Sequence, residues 1–133
     1  MSELDNNSTG KTSQIRFGGV GGQGIALAGR MLGKAAALFD GKEAVCTQTY
    51  GPEARGGTSY ADVHVARREV LSPAADSPHV LLAFNAPGLE KFGPSARAGG
   101  WILYDATVIA EPPAPLPDVH QVGIPFTRIA TTR

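Results

Sequence analysis

Two glycine-bearing segments hold most of the chemistry this sequence offers. The first, Gly19-Val20-Gly21-Gly22-Gln23-Gly24, satisfies G-x-G-x-x-G and sits between an expected strand and an expected helix. Glycines let a ligand approach the backbone, and a helix N-terminus offers free N–H groups and a positive dipole end. A phosphate or pyrophosphate would fit there. The dinucleotide fingerprint also wants an acid about 20 residues on, at the end of the second strand. That strand ends in Thr47-Gln48-Thr49, and Asp40 and Glu43 come too early, so NAD is disfavoured. A tight strand-to-helix turn without ligand is the competing reading. The second segment is Tyr50-Gly51-Pro52-Glu53-Ala54-Arg55-Gly56-Gly57. Loops at the carboxyl ends of strands gather in one crevice of a doubly wound sheet. Glu53 and Arg55 are thus expected to face the same place as Gly21 and Gly24, with Arg55 a fork for phosphate or carboxylate. Here the competing reading is a Glu53–Arg55 network that stiffens a turn or a subunit contact.

Other reactive residues form no constellation. Cys46 lies in an apolar strand and reads as a buried, inert thiol. His64, His79 and His120 show no paired metal spacing. Asp62 and His64 share a strand face, which reads as solvated rather than as an acid–base pair. Gly10-Lys11-Thr12 imitates the tail of a P-loop, but its first glycine would fall at Asp5. No G-x-S-x-G is present, so no catalytic residue and no metal ligand is assigned.

The elements that would position these loops follow from patterning. Residues 1–14 are polar and aperiodic, an expected flexible arm ahead of one domain over 15–133. A strand at Ile15–Phe17 enters the first loop. Helical spacing follows from Ile25 to Phe39, with Ala28, Met31, Leu32, Ala35 and Leu38 as the apolar stripe and Arg30 and Lys34 elsewhere. Gly29 and Gly33, four apart, would allow close packing, and Gly41 suits a left-handed cap. Strands are expected at Glu43–Gln48, at Ser59–Arg67, at His79–Phe84 (covered on both faces), at Trp101–Tyr104 and at Val119–Gly123. Asn85 and Pro87 suit the start of a short helix to Phe92, and Phe126–Ala130 the first turn of another. The result is an α/β fold: a layered Rossmann-like sheet, mostly parallel or mixed, with flanking helices.

Composition narrows the class further. The 133 residues carry 12 Lys and Arg against 12 Asp and Glu, which disfavours a general nucleic-acid binder. Hydrophobic residues reach 42%, enough for a globular core. No apolar run has the roughly 18 residues of a membrane helix, and the N-terminus lacks the h-region of a secretory signal. A cytoplasmic protein without membrane association is the expectation. One cysteine excludes an intrachain disulfide and an iron–sulfur cluster held by this chain alone.

IRFGGVGGQGI, then AGRMLGKAA, then TQTYGPEARGGTSYADVHV closely resemble the gamma subunit or domain of 2-oxoacid:ferredoxin oxidoreductases, the pyruvate/ketoisovalerate oxidoreductase family. The resemblance runs over about residues 15–130, and VLLAFN, GGWILYDA and VGIPFTRIA look like the family's later segments. It implies a complex that converts a 2-oxo acid and coenzyme A to acyl-CoA and CO2 while reducing ferredoxin or another acceptor. Thiamine diphosphate, Mg2+ and iron–sulfur clusters would sit elsewhere in that complex. The implied partners are alpha, beta and ferredoxin-like (delta) subunits, with coenzyme A on the gamma side. The positions carried over for binding are Gly19, Gly21, Gly22, Gln23, Gly24, Tyr50, Glu53, Arg55 and Gly56, with Gly51 and Gly57 in the same motif. Family members continue past the segment matching IPFTRIA, so the last helical region is expected to be incomplete. The alternatives are a free-standing nucleotide- or acyl-CoA-binding module using the glycine loop, and a shortened, non-functional relative.

Overall fold

The computed structural model describes residues 12–19, 24–49, 59–67, 77–111 and 113–132. Its strands are β1 (Thr12–Gly19), β2 (Glu43–Thr49), β3 (Ser59–Ala66), β4 (Val80–Ala83), β5 (Trp101–Asp105) and β6 (His120–Ile124). They form one sheet in the order β2-β3-β1-β4-β5-β6. Helices α1 (Ile25–Phe39), α2 (Ala86–Phe92) and α3 (Phe126–Thr131) complete the elements, with a 3-10 turn at Gly93–Ser95. The sheet is mixed. β3 runs antiparallel to both β1 and β2, whereas β1, β4, β5 and β6 are parallel neighbours. β1 starts at Thr12, inside the segment read as an arm, because Thr12, Ser13 and Gln14 pair with Ala66, Val65 and His64.

α1 packs on one face of the sheet through its smallest residues. A Cβ on Gly29 would lie 3.2 Å from Ala61 Cβ, and one on Gly33 would lie 2.5 Å from Cys46 Sγ. The buried stripe is therefore Ile25, Gly29 and Gly33, with Ala28 and Leu32 half-buried. Met31, Ala35 and Leu38, expected to face the core, are exposed: Met31 and Leu38 point outward because the close approach of helix to sheet leaves no room for long side chains, and Ala35 lies on the flank of the helix. The helix ends as read from sequence: Gly41 is left-handed at φ 66°, and the Asp40 and Lys42 amides donate to the Ala36 carbonyl.

α2 covers the other face. Its N-cap, Asn85, accepts from the Gly88 amide at 2.7 Å. Phe92 lies over Gly18, where any Cβ would come within 2.8 Å of its ring. Leu81, Ala83, Leu89, Phe92, Ile102, Tyr104 and Ile109 form the core on this side. Phe17, Ile25 and Val63 centre the core under α1. β4 is fully buried only through Leu81 and Ala83, while Val80 and Leu82 on its other face are half-covered, less than expected from its apolar run.

Candidate functional site

The topology brings the anchors of both glycine segments to one edge of the sheet. β1 ends at Gly19, which pairs with Ser59, the first residue of β3. β2 ends at Thr49, which pairs with Tyr60. The segment after Gly19 and the segment between Thr49 and Ser59 therefore spring from adjacent strand ends. β4 leaves β1 on the other side, and the Phe84 amide donates to Gly18 O at 2.9 Å. The strand order diverges at β1, the switch point where open α/β sheets hold ligands.

Gly24 closes the first loop with φ 78°, a left-handed conformation that favours glycine, and nothing lies within 4 Å of a Cβ built there. Its carbonyl accepts from the Ala28 amide; among the described residues no side chain caps α1, and no acid occupies its first turn. The amides of a helix's first turn and the positive end of its dipole suit an anion. Gly19 is buried at its strand end. Gly21, Gly22, Gln23, Tyr50, Gly51, Glu53, Arg55, Gly56 and Gly57 lie outside the described residues.

At the same edge, a cleft of about 340 Å³ is lined by Phe84, Asp105, Phe126, Thr127 and Ala130. Asp105 is buried and accepts hydrogen bonds from the Thr107 and Thr127 amides and from the Thr127 hydroxyl. Burial pushes its carboxyl upward, but these hydrogen bonds outweigh it and hold the group below its ordinary value. Asp105 thus fastens β5 to the first turn of α3 and keeps Phe126 edge-on to Phe84, ring centroids 5.6 Å apart.

A polar row that sequence patterning did not find runs beneath α2. Arg16 of β1 forms a bidentate pair with Asp62 of β3, at 2.7 and 2.8 Å, and its guanidinium stacks 4.1 Å above the Tyr60 ring. Asp62 and His64, read as a solvated face, are only 3% and 1% exposed. The reason is non-local: the partner of Asp62 lies 46 residues away in the chain, and that Arg16 guanidinium packs against Tyr60 and Phe92. Neither ring nitrogen of His64 has a hydrogen-bond partner among the described residues. Burial lowers its pKa, with Asp62 opposing and Arg16 adding to the shift.

The remaining candidates are structural. Cys46 is exposed rather than buried, yet its thiol turns under α1 and donates to Gly29 O at 3.3 Å. Desolvation raises its pKa against weaker opposing effects from Gly33 and Arg30, so the nucleophilic thiolate is disfavoured. His79 accepts from the Gln14 amide through Nδ1, and His120 stacks on Trp101. No group of three metal-ligating side chains occurs among the described residues. Among the same residues no helix is long and apolar enough to cross a membrane.

Comparison with known proteins agrees with this architecture. The family model described as pyruvate ferredoxin/flavodoxin oxidoreductase matches residues 14–132. The 2-oxoglutarate synthase subunit KorC of Methanocaldococcus jannaschii is 44% identical over 118 residues, covering 89% of this chain and 63% of the relative. The keto/oxoacid ferredoxin oxidoreductase gamma subunit from Geobacter sulfurreducens superposes with a TM-score of 0.73 at 33% identity, over 90% of this chain and 65% of that one. The 2-oxoglutarate:ferredoxin oxidoreductase of Magnetococcus marinus, solved with 2-oxoglutarate, coenzyme A and succinyl-CoA, matches with a TM-score of 0.78 at 27% identity, over 90% of this chain and 21% of that one. The chain thus spans less than two-thirds of each of these proteins. It belongs to the pyruvate ferredoxin/flavodoxin oxidoreductase family.

Proposed function

We propose that this chain is the gamma-type module of a thiamine diphosphate-dependent 2-oxoacid oxidoreductase, docked on catalytic subunits and contacting coenzyme A through its two glycine loops. The observation that carries the reading is the family match over residues 14–132, on a chain whose two loops spring from one sheet edge. The reaction would be oxidative decarboxylation of a 2-oxo acid, with acyl transfer to coenzyme A and electrons passed to ferredoxin or another acceptor. Thiamine diphosphate, Mg2+ and clusters would be carried by alpha, beta and ferredoxin-like subunits, since a single cysteine cannot ligate a cluster. This chain's own part is binding. The α1 N-terminus supplies amides and a positive dipole end to the phosphates, Gly19, Gly21, Gly22 and Gly24 permit close approach, and Arg55 adds a charge-assisted bond. Gln23, Tyr50, Glu53 and Gly56 would complete the wall. The subunit names of the relatives favour this reading over a free-standing binding module.

Reconstitution from separate subunits tests it. The pure chain should show no 2-oxo acid-dependent ferredoxin reduction, and adding it to the catalytic subunits should restore coenzyme A-dependent turnover. In the assembled complex, Arg55→Ala should weaken apparent coenzyme A affinity by roughly 10- to 150-fold, the equivalent of about 1.5–3 kcal/mol. Turnover by the chain alone would overturn the assignment of chemistry to other subunits. An unchanged coenzyme A dependence would confine Arg55 to a structural role.

A further inference from the structure

α1 carries two apolar stripes, and only one has a partner among the described residues. Ile25, Gly29 and Gly33 face the sheet. Leu27, Met31 and Leu38 are 54%, 62% and 72% exposed. At about 100° per residue, those three lie roughly 160–200° around the helix from the centre of the sheet-facing stripe. They point straight away from the sheet. A helix laid beside α1 in the same layer would meet the flank made by Ala28, Leu32 and Ala35 instead, so whatever covers Leu27, Met31 and Leu38 must approach from outside this fold. Arg30 and Lys34, both exposed, border the stripe on one side, and α1 contains no Asp or Glu. The surface is thus apolar with a cationic margin.

We infer that this outer stripe is the docking surface for the larger catalytic polypeptide of the complex, which meets it with an apolar patch edged by carboxylates opposite Arg30 and Lys34. The inference rests on the gamma-module reading above. Two observations favour a protein of that kind as the occupant. The one-signed margin calls for an acidic counterpart. In the Magnetococcus marinus enzyme the matching fold is only 21% of its chain, so there a much larger polypeptide is its permanent neighbour.

The test is co-purification of the full chain with alpha and beta catalytic subunits of a 2-oxoacid oxidoreductase, using the parent and the double variant Met31→Glu/Leu38→Glu. Both positions are exposed and glutamate keeps comparable helix propensity, so the variant should fold with the parent's circular dichroism and melting temperature. Expected is a drop in subunit affinity of about tenfold or more. Arg30→Glu/Lys34→Glu, which leaves the apolar stripe intact, should also weaken assembly and reduce its sensitivity to salt. If the parent assembles and both variants assemble equally well, the docking surface lies elsewhere and the functional reading stands. If the parent does not assemble at all, the functional reading falls and takes this inference with it. Sedimentation with phosphatidylglycerol vesicles is the remaining arm. Vesicle binding that the variants abolish, with subunit assembly untouched, would overturn the inference in favour of a membrane-facing helix.

Discussion

Asp62 is the residue on which the layer beneath α2 most depends. Its carboxylate neutralises an Arg16 guanidinium that is itself buried against Tyr60 and Phe92. Breaking a buried ion pair by removing one partner costs about 3–5 kcal/mol. Asp62→Asn keeps the shape and should lose stability of that order in urea denaturation. A loss below about 1 kcal/mol would mean that the pair is solvated in practice. His64, next along the same face of β3, makes stability depend on pH. Its folded-state pKa is lowered by burial, so the unfolded chain takes up a proton that the folded chain refuses. Stability should be unaffected above the ordinary imidazole value, fall as pH drops through about 6.5, and level off below the folded-state value. His79 is shifted the same way by burial and by Arg97, so both contribute. His64→Leu should flatten part of the fall in melting temperature between pH 7 and pH 5, and an unchanged slope would assign the effect to other groups.

At the scale of the element, α1 shows what local pattern can and cannot reveal. Its limits, Ile25 and Phe39, and its Gly41 cap are legible because helical period and left-handed glycine are local properties. Its inner face is not. Counting large apolar residues picks out Met31 and Leu38, whereas the sheet selects the smallest residues because it lies so close. The spacing of Gly29 and Gly33 carried that information. The strands were similarly legible to within three residues at each end, but β3's place between β2 and β1 is a matter of long-range pairing. The same division holds at the site. The glycine loops announce themselves through residue type, while Arg16–Asp62 and Asp105–Thr127 join positions 46 and 22 residues apart and leave no local trace. Gly33→Ala probes the helix–sheet contact directly. Helix propensity alone would favour alanine by about 1 kcal/mol. The new methyl, however, would collide with Cys46 Sγ and displace it from Gly29 O, and overpacking of this kind costs about 1–3 kcal/mol. The single variant should therefore be less stable than the parent, and Gly33→Ala/Cys46→Ala should recover the loss. Additive effects in that double-mutant cycle would mean the two positions do not touch.

Over the whole molecule, cover is uneven. α1 lies on β1, β2 and β3, and α2 packs on the opposite face over β1 and β4. Trp101, Leu103 and Val122 share the face of the sheet that α1 occupies further along, by the register that sets Trp101 beside Val80 and Leu103 beside Leu82. Trp101 remains 44% exposed even with the His120 ring stacked 4.3 Å from it, and Ile129 of α3 is more exposed still. β6 is also an edge strand, with Val122 and Gly123 exposed on it. Soluble monomers rarely show contiguous apolar patches beyond a few hundred Å², and an uncovered edge is a template for pairing. Together with the outer stripe of α1, this makes two separate apolar surfaces on a chain of 13.8 kDa. The isolated chain should therefore self-associate, with a mean mass that rises with concentration in light scattering. Because the driving force is apolar burial, sulfate should promote the association, where an ionic contact would be weakened by salt. Met31→Glu/Leu38→Glu should reduce self-association without abolishing it, since the β5–β6 face is untouched. Catalytic subunits added in excess should suppress it by competing for the α1 stripe. A constant mass of one chain across the concentration range would show that both faces are tolerated in water, and would remove the energetic reason for this module to seek a partner.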